Sequence, residues 1–165
     1  MQLVTSESTL IHSPWLGDVD RSPDCELYFP AGLPGFEALR RFLPVEIPAQ
    51  RPLVYLQSVE NSDICFVTLP VLVIDSSFDL KLREEEKNQL GISAESTPVI
   101  GEDVLCLAML MPAGETVEAN LSAVVVVNLH NGFGIQCTPP FEECAIRRLT
   151  LSGDAMPQNG WTRIC

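Results

Sequence analysis

The sequence predicts an all-β fold, a sandwich or a barrel, with one short helix. Thirteen prolines and ten glycines separate short apolar runs at frequent intervals, which is typical of chains built from many short strands. A length of 165 residues suits a single core, and 46% hydrophobic residues are sufficient to fill it. We therefore expect residues 1–165 to form one domain, of which 1–14 and 151–165 are flexible.

Most elements of the N-terminal half are predicted to be short strands. Residues 15–19 and 27–29 supply the first two, and residues 36–42 are expected to form one helical turn. Residues 53–57 and 64–68 follow as a pair of strands. The Asn-Ser-Asp sequence between them favours a turn, so this pair is predicted to form a hairpin.

The middle of the chain contains the one clear helix signal. Residues 71–74 are apolar and mostly β-branched, but Pro70 precedes them, which favours an edge or irregular strand. Residues 83–90 are predicted to be helical, because three consecutive glutamates favour the positive end of the helix dipole. Gly91 stands where a left-handed cap is expected.

Strands are predicted again in the C-terminal half. Residues 104–111 are apolar almost throughout, so both faces of this strand are expected to be covered. Residues 116–119 form a further short strand. Residues 123–129 and 133–137 flank Asn131–Gly132, a dipeptide that favours a type I′ hairpin turn. The segment after these strands is polar and rich in turn-forming residues.

The net charge of −12 excludes several classes of function. Nucleic-acid binding needs clustered Lys and Arg to contact phosphates, and docking on an anionic membrane needs the same cations. The N-terminus has no basic segment followed by an apolar one, and no apolar run is long enough for a membrane helix. We therefore expect a cytoplasmic protein that binds neither nucleic acid nor membrane.

The charge is unevenly distributed along the chain. Residues 88–146 contain no Lys or Arg, so this half is expected to present an uninterrupted acidic surface if it packs together. Such a surface suits a basic partner, although it is equally consistent with plain solubility. The acids of this segment are Glu95, Glu102, Asp103, Glu115, Glu118, Glu142 and Glu143.

The sequence contains no established catalytic, metal-binding or cofactor-binding motif. None of the six cysteines lies in a Cys-x-x-Cys pair, as a zinc ribbon would require. No phosphate loop or dinucleotide fingerprint is present, so we expect no metal and no cofactor. A cysteine-dependent enzyme that uses Cys137 or Cys144 with His130 stays open as an alternative.

One segment, residues 29–37, has an unusual composition. Two prolines and two glycines within it specify a rigid backbone path. Leu33 and Phe36 are positioned to anchor that path to the core. The segment is therefore predicted to be either a packed turn that fixes strand order or a binding loop.

The same segment carries a resemblance to the FliW family of bacterial flagellar assembly factors. Its sequence, Phe-Pro-Ala-Gly-Leu-Pro-Gly-Phe-Glu, matches the signature of that family. Further matches occur in the same order as in the family, between about residue 15 and residue 149. They are Trp-Leu-Gly-Asp-Val at 15–19, Leu-Gln-Ser at 56–58, the apolar strand 64–70, Glu-Asp-Val at 102–104, Asn-Leu-Ser-Ala at 120–123 and Gly-Ile-Gln at 134–136.

The chain departs from the family pattern at three positions. Phe78 stands where tyrosine is common, Val124 replaces a usual proline, and Ile135 replaces a usual basic residue. These departures leave the predicted fold intact but call into question family contacts around Val124 and Ile135.

The resemblance implies an all-β, mainly antiparallel domain that resembles a small β-barrel. It implies a non-enzymatic, monomeric protein that binds flagellin and the RNA-binding translational regulator CsrA, and so relieves repression of flagellin translation. A barrel that binds a small ligand in its interior is the alternative. The residues expected to contact partners are Phe29, Pro30, Gly32, Leu33, Pro34, Gly35, Phe36, Glu37, Gln57, Asn120, Leu121 and Ala123.

Overall fold

The computed structural model describes residues 9–21, 23–137 and 146–149. Its strands are β1 (Thr9–Ser13), β2 (Gly17–Arg21), β3 (Leu27–Tyr28), β4 (Arg41–Val45), β5 (Val54–Ser58), β6 (Cys65–Pro70), β7 (Val104–Ala113), β8 (Thr116–Asn128), β9 (Gly134–Gln136) and β10 (Ile146–Leu149). Its helices are α1 (Val71–Ile74) and α2 (Glu84–Leu90), and short 3-10 turns span Pro23–Cys25 and Pro48–Gln50.

Strands β3 to β10 form one antiparallel sheet of eight strands. The order is β10-β8-β7-β6-β5-β4-β3, and β9 also pairs with β8. The edge strand β3 meets the segment just before β9: the amide of Tyr28 donates a 2.9 Å hydrogen bond to the carbonyl of Gly132, beside a bridge between Tyr28 and Phe133. This seam closes most of the barrel and confirms the predicted barrel-like fold.

The first part of β7 is covered on both faces, as its apolar sequence predicted, but Met111 near its end is 43% exposed. Val104, Cys106 and Ala108 belong to the main hydrophobic cluster. Leu105 and Leu107 alternate with them and pack into a second cluster on the other face. A strand buried in this way can carry apolar residues at consecutive positions.

The two predicted hairpins are present, but one turn differs from its prediction. β5 pairs with β6, and β8 pairs with β9, both antiparallel. Gly132 has a φ of +78°, whereas no non-glycine residue among those described has a positive φ. A type I′ turn needs positive φ at both central residues, so the prediction for Asn131 was wrong. The four residues 129–132 instead form a longer connection, in which Gly132 N–H donates to the carbonyl of Asn128.

The strand predicted at residues 15–19 begins two residues too early in the sequence. Residues 17–21 form β2, while Trp15 and Leu16 lie in the turn that joins it to β1. The amides of both donate to Ser13 Oγ, at 3.2 and 3.1 Å. The indole Nε1 of Trp15 donates to the carbonyl of Asp63 at 2.9 Å, which holds the hairpin against the β5–β6 turn.

Two further predictions of local structure were wrong. Residues 71–74 form α1 rather than a strand. Only Val71 of the four is buried. The amide of Asp75 donates a hydrogen bond to the carbonyl of Val71, which completes a helical turn. Residues 36–42 do not form a helical turn. Their last two residues begin β4, where Phe42 is fully buried in the sheet.

The predicted helix is confirmed as α2. Glu86 Oε2 accepts the amide of Arg83 at 2.8 Å, at the helix N-terminus. Gly91 caps the other end with a φ of +71°. The carbonyl of Leu90 accepts hydrogen bonds from the side-chain amides of Asn128 and Asn131, at 2.8 and 2.9 Å. These bonds attach the end of α2 to the β8–β9 connection.

None of the helices in the described ranges is long and apolar enough to cross a membrane. Predictions for residues 1–8, for Cys144, Glu142 and Glu143, and for the segment after Leu149 lie outside the described residues.

Candidate functional site

The segment 29–37 is a pair of tight turns fixed to the core at two points. The side chains of Phe29 and Leu33 are almost completely buried. Gly32 N–H donates to the carbonyl of Phe29 at 2.9 Å, and Phe36 N–H donates to the carbonyl of Leu33 at 2.7 Å. The segment is therefore a packed structure, whose exposed positions include Pro34 and Phe36.

Gly32 is required by a close approach of two backbone segments. It has a φ of +67°, and a Cβ built on it would lie 2.6 Å from the Cα of Glu37. No side chain fits at that distance, so this glycine lets residues 32 and 37 touch. The half-buried Pro30 precedes the turn and fixes its own φ.

Glu37 closes the second turn with its carboxylate. The amide of Gly35, which has a φ of +85°, donates to Glu37 Oε1 at 3.0 Å. This hydrogen bond, together with one from the amide of Glu37 itself, lowers the pKa of the Glu37 carboxyl. The side chain is exposed, so a negative charge stands at the tip of the segment at neutral pH.

Phe36 extends from this segment onto the sheet. It is 37% exposed, and its ring packs edge-on against that of Phe66 with centroids 5.1 Å apart. Phe66 in turn packs against the second hydrophobic cluster, as does Met109 of β7. The segment 29–37 therefore supplies the first side chain of an apolar surface that continues across the strands.

The strand register continues this surface to the edge strand. Met109 pairs with Asn120, and Asn120 pairs with Ile146. Directly paired residues project from the same face of a sheet, so these three side chains share one face. Met111, two residues beyond Met109, lies on this face as well. We call the side chains of Phe36, Phe66, Met109, Met111 and Ile146 the apolar face; Phe36, Met111 and Ile146 are 37%, 43% and 51% exposed.

The predicted contact residues 120–123 are divided by a bulge in β8. The pairing shifts between Leu107 and Met109, so that Ala108 alone faces residues 121–124 of β8. Asn120 lies on the apolar face, where its Oδ1 accepts the amide of Ser122 at 2.9 Å. Leu121 is buried in the main cluster instead.

Ala123 and the three departures from the family pattern lie away from the apolar face. The carbonyl of Ala123 accepts a hydrogen bond from the side chain of Gln136 at 3.0 Å. Val124 and Ile135 are buried in the main cluster, and Phe78 packs against it. These departures therefore alter core packing rather than the exposed surface.

Gln57 is buried and serves the β5–β6 turn. Its Nε2 lies within 3.0–3.2 Å of the carbonyls of Ser58, Ser62 and Ile64. Its Oε1 has no hydrogen-bond partner among the described residues. Satisfying buried backbone groups is one of the two roles that the sequence indicated for this amide.

Within the part of the chain that the structure describes, the acidic residues of the base-free segment do not form one continuous surface. Arg148 on β10 reaches Glu118 on β8 at 3.3 Å, because the two strands pair. Glu102 precedes β7 and Glu115 follows it. Because β7 has ten residues, these ends are roughly 30 Å apart. The expected uninterrupted acidic surface is thus divided into two separate groups.

The cysteine alternative loses its basis at Cys137. The thiol is buried, and burial raises its pKa to about 12, with a further contribution from Glu86. A catalytic thiol needs a lowered pKa. His130 is exposed, and its Nε2 lies 3.1 Å from Asp103 Oδ1. Cys144 lies outside the described residues.

Among the described residues, no cluster of three or more His, Cys, Asp or Glu side chains is arranged to hold a metal ion. A cavity of about 330 Å³ lies between the β1–β2 turn and β5. Uncharged side chains line it, including Trp15, Ile47, Gln50 and Tyr55. The small-ligand alternative requires an empty interior, and the buried apolar side chains on the two sides of the sheet instead pack into two hydrophobic clusters.

Sequence reasoning missed four residues of the apolar face: Phe66, Met109, Met111 and Ile146. Phe66, Met109 and Met111 lie in or next to apolar runs, and such runs predict ordinary buried strands. Ile146 belongs to β10, whose Ile-Arg-Arg-Leu sequence carries no strand signal. The one sequence signal for a second buried face of the sheet was the continuous apolar sequence of β7.

Comparison with known proteins gives a consistent result. The FliW protein family model matches residues 10–148. The flagellar assembly factor FliW of Caldicellulosiruptor bescii is 29% identical over 130 residues, which cover 79% of this chain and 82% of that protein. The flagellar assembly factor FliW of Caldanaerobacter subterraneus subsp. tengcongensis is 34% identical over 116 residues, or 67% of this chain and 71% of that protein.

A solved structure has the same fold. The crystal structure of the flagellar assembly factor FliW superposes with a TM-score of 0.72 at 25% identity, and covers 82% of this chain and 92% of the solved one. The family model spans nearly all of the described residues, including segment 29–37 and the apolar face. The chain therefore belongs to the FliW family.

Proposed function

We propose that this chain is a cytoplasmic flagellar assembly factor that binds flagellin and the translational regulator CsrA, and acts by exchanging one for the other. Family membership supports the general role. The observation that carries the proposal is the apolar face. It joins Phe36, from the segment most like the family signature, to Asn120, from a second family-like element.

In this mechanism, translation of flagellin follows its export. Flagellin that accumulates in the cytoplasm occupies the protein. Secretion of flagellin leaves the protein free to bind CsrA at a site away from the RNA site. This binding lowers the affinity of CsrA for flagellin messenger RNA. Such coupling between two sites on CsrA is typically worth about 1–3 kcal/mol. An acidic partner suits this role, because its charge is repelled by RNA.

The apolar face has the properties of a protein-docking surface. Its exposed members, Phe36, Met111 and Ile146, are large apolar side chains, and aromatic residues and methionine are enriched at interfaces. Methionine adapts its shape to different partners. This adaptability suits a surface that one partner leaves and another occupies.

Calorimetry with purified flagellin and CsrA from the same organism tests the proposal. We expect saturable binding of each partner, and we expect one to displace the other or alter its affinity. Met111→Glu and Ile146→Glu place a charge on the apolar face and should weaken binding of at least one partner by about tenfold or more. Val73→Glu is the matched control, because Val73 is 57% exposed on α1, which packs on the opposite face of the sheet.

Two results would contradict the proposal. Absence of heat with both partners at micromolar concentrations would rule out the binding function. Normal binding by Met111→Glu and Ile146→Glu would remove the apolar face from the mechanism. Size-exclusion chromatography of the chain alone tests the expectation that it acts as a monomer.

A further inference from the structure

The connection between β8 and β9 contains an Asn-Gly dipeptide whose reactive groups are all engaged. The side-chain Oδ1 of Asn131 accepts the amide of Phe133 at 2.9 Å, and its Nδ2 donates to the carbonyl of Leu90 at 2.9 Å. The amide of Gly132 donates to the carbonyl of Asn128 at 2.8 Å. One side of this arrangement is the C-terminus of α2, which ends at Leu90.

Asn-Gly is a chemically labile sequence, because glycine has no side chain to hinder attack by its own nitrogen. The backbone nitrogen of Gly132 can bond to Cγ of Asn131, and the Cγ–Nδ2 bond then breaks to release ammonia. Water opens the resulting cyclic imide at either of its two carbonyl carbons. The products are aspartate, or isoaspartate, in which the chain continues through the side chain.

We propose that Asn131 is a deamidation site that the docking of α2 keeps closed. The reaction requires the nitrogen of Gly132 to leave its hydrogen bond and the amide of Asn131 to rotate toward it. Rotation breaks the bond to Leu90. The rate therefore depends on how often the hydrogen bonds of Asn131 to Leu90 and of Gly132 to Asn128 open together, and such local opening has its own free energy, lower than that of global unfolding.

The neighbouring Gly91 fits closely against the same amide. A Cβ built on Gly91 would lie 2.7 Å from Asn131 Nδ2. A larger residue at position 91 therefore displaces the amide from Leu90. This contact provides a substitution that loosens the site without altering either residue of the dipeptide.

Deamidation permanently removes one of the two side-chain hydrogen bonds that attach the end of α2, while the bond from Asn128 remains. The new carboxylate has no hydrogen to donate to the carbonyl of Leu90, and its charge faces the negative end of the α2 dipole. Isoaspartate also adds a backbone atom just before Gly132, whose carbonyl accepts the amide of Tyr28 at the barrel seam. Deamidation at this site is thus a slow, one-way change that weakens the attachment of α2 and strains the seam.

Mass spectrometry of tryptic peptides tests the proposal on the full chain, incubated at mildly alkaline pH with and without urea. Asn159–Gly160 is the same dipeptide elsewhere in the sequence, and calibrates the intrinsic rate in urea. We expect Asn131 in the folded chain to deamidate at least about tenfold more slowly than in urea, because opening is required first. Gly91→Ala should raise the folded-state rate at Asn131.

Equal rates at Asn131 with and without urea would overturn the proposal, as would a folded Gly91→Ala chain that deamidates no faster than the original. Asn131→Asp, which reproduces one product, gives a second measurement. Amide hydrogen exchange in α2 should accelerate in that variant. Unchanged exchange would show that deamidation does not weaken the attachment of the helix.

Discussion

The ring of Phe29 lies so close to the backbone of Gly134 that a Cβ at position 134 would be 2.6 Å from its Cε1 and Cζ atoms. Phe29 begins the segment 29–37, and Gly134 begins β9. The contact therefore joins the family-like segment to the strand beside the barrel seam. It explains why a glycine occurs at this position although its φ is not left-handed.

Gly134→Ala should destabilise the protein through this contact. The added methyl group overlaps the Phe29 ring, and overpacking of this kind typically costs about 1–3 kcal/mol. Urea unfolding measures the loss. The double variant with Phe29→Leu, which removes ring atoms, should show a favourable coupling energy in a double-mutant cycle. Additive effects would mean that the ring and the methyl group do not meet.

Gly32→Ala and Gly35→Ala form a matched pair within segment 29–37. Both glycines have positive φ, but only Gly32 has neighbouring atoms within 4 Å of a built Cβ. Gly35→Ala should cost about 1–2 kcal/mol from backbone strain alone. Gly32→Ala should cost about 1–3 kcal/mol more, because its Cβ also meets the backbone of Glu37. Equal losses of unfolding free energy would contradict the close approach.

The carboxyl of Glu37 should contribute to a pH dependence of stability. Hydrogen bonds from the amides of Gly35 and Glu37 lower its folded-state pKa below 4.5. A depressed pKa gives stability that is present above the unfolded pKa and is lost as the pH falls through the folded value. Glu37→Gln keeps the acceptor oxygen and removes the titration, so its stability relative to the original chain should rise below about pH 4.5.

NMR titration of the Glu37 side-chain carboxyl carbon measures this pKa directly. Gly35→Pro, which removes the donating amide, also constrains the backbone and is a poor control. The same titration on the chain unfolded in urea is the better reference. A midpoint for Glu37 equal to that of the reference would contradict the hydrogen bond.

The buried thiols of Cys106 and Cys137 should resist alkylation in the folded protein. Burial raises the pKa of each to about 12, so roughly one in ten thousand of each is thiolate at pH 8. Of the four cysteines that the structure describes, Cys25 is exposed and should be modified first by iodoacetamide. Peptide mass spectrometry distinguishes the sites, and all of them should react in urea. Rapid modification of Cys137 in the folded chain would revive the cysteine-enzyme alternative.

The two acidic groups should differ in their effect on the proposed association with CsrA. Glu115 lies at the end of the β7–β8 hairpin that carries the apolar face, whereas Glu102 lies at the other end. Glu115→Lys should slow association at low salt, and the difference should fade at high salt. Glu102→Lys is the matched control. Equal association rates for both variants and the original chain would show that the acidic residues contribute to solubility and not to association with CsrA.

The sequence predicted those elements whose structure is determined by residues adjacent in the chain. α2 was predictable because its glutamates and Gly91 are adjacent to it in sequence. The turns of segment 29–37 followed from its prolines and glycines. α1 was not predictable in this way, because an apolar, β-branched run suits a strand equally well. Its burial on one side depends on the core that it covers.

The apolar face was beyond sequence reasoning for a different reason. Phe36 and Asn120 are related only through the order of β6, β7 and β8 and through the register shift at Ala108. Neither the strand order nor the register shift can be recognised from the residues adjacent to it in the sequence. The proximity of Phe36 to Phe66 likewise depends on a pairing of distant segments, which periodicity within one strand does not specify.

The bulge in β8 divides this strand into two parts with different neighbours. Residues 117–120 pair with β10, and residues 125–127 pair with β9. An insertion or deletion within 121–124 alters the bulge, whose Leu121 and Val124 are buried in the main cluster, while each half keeps its own alignment. The strand can therefore vary in length during evolution without shifting the barrel seam, and the outer half can be remodelled for a different partner while the barrel stays the same.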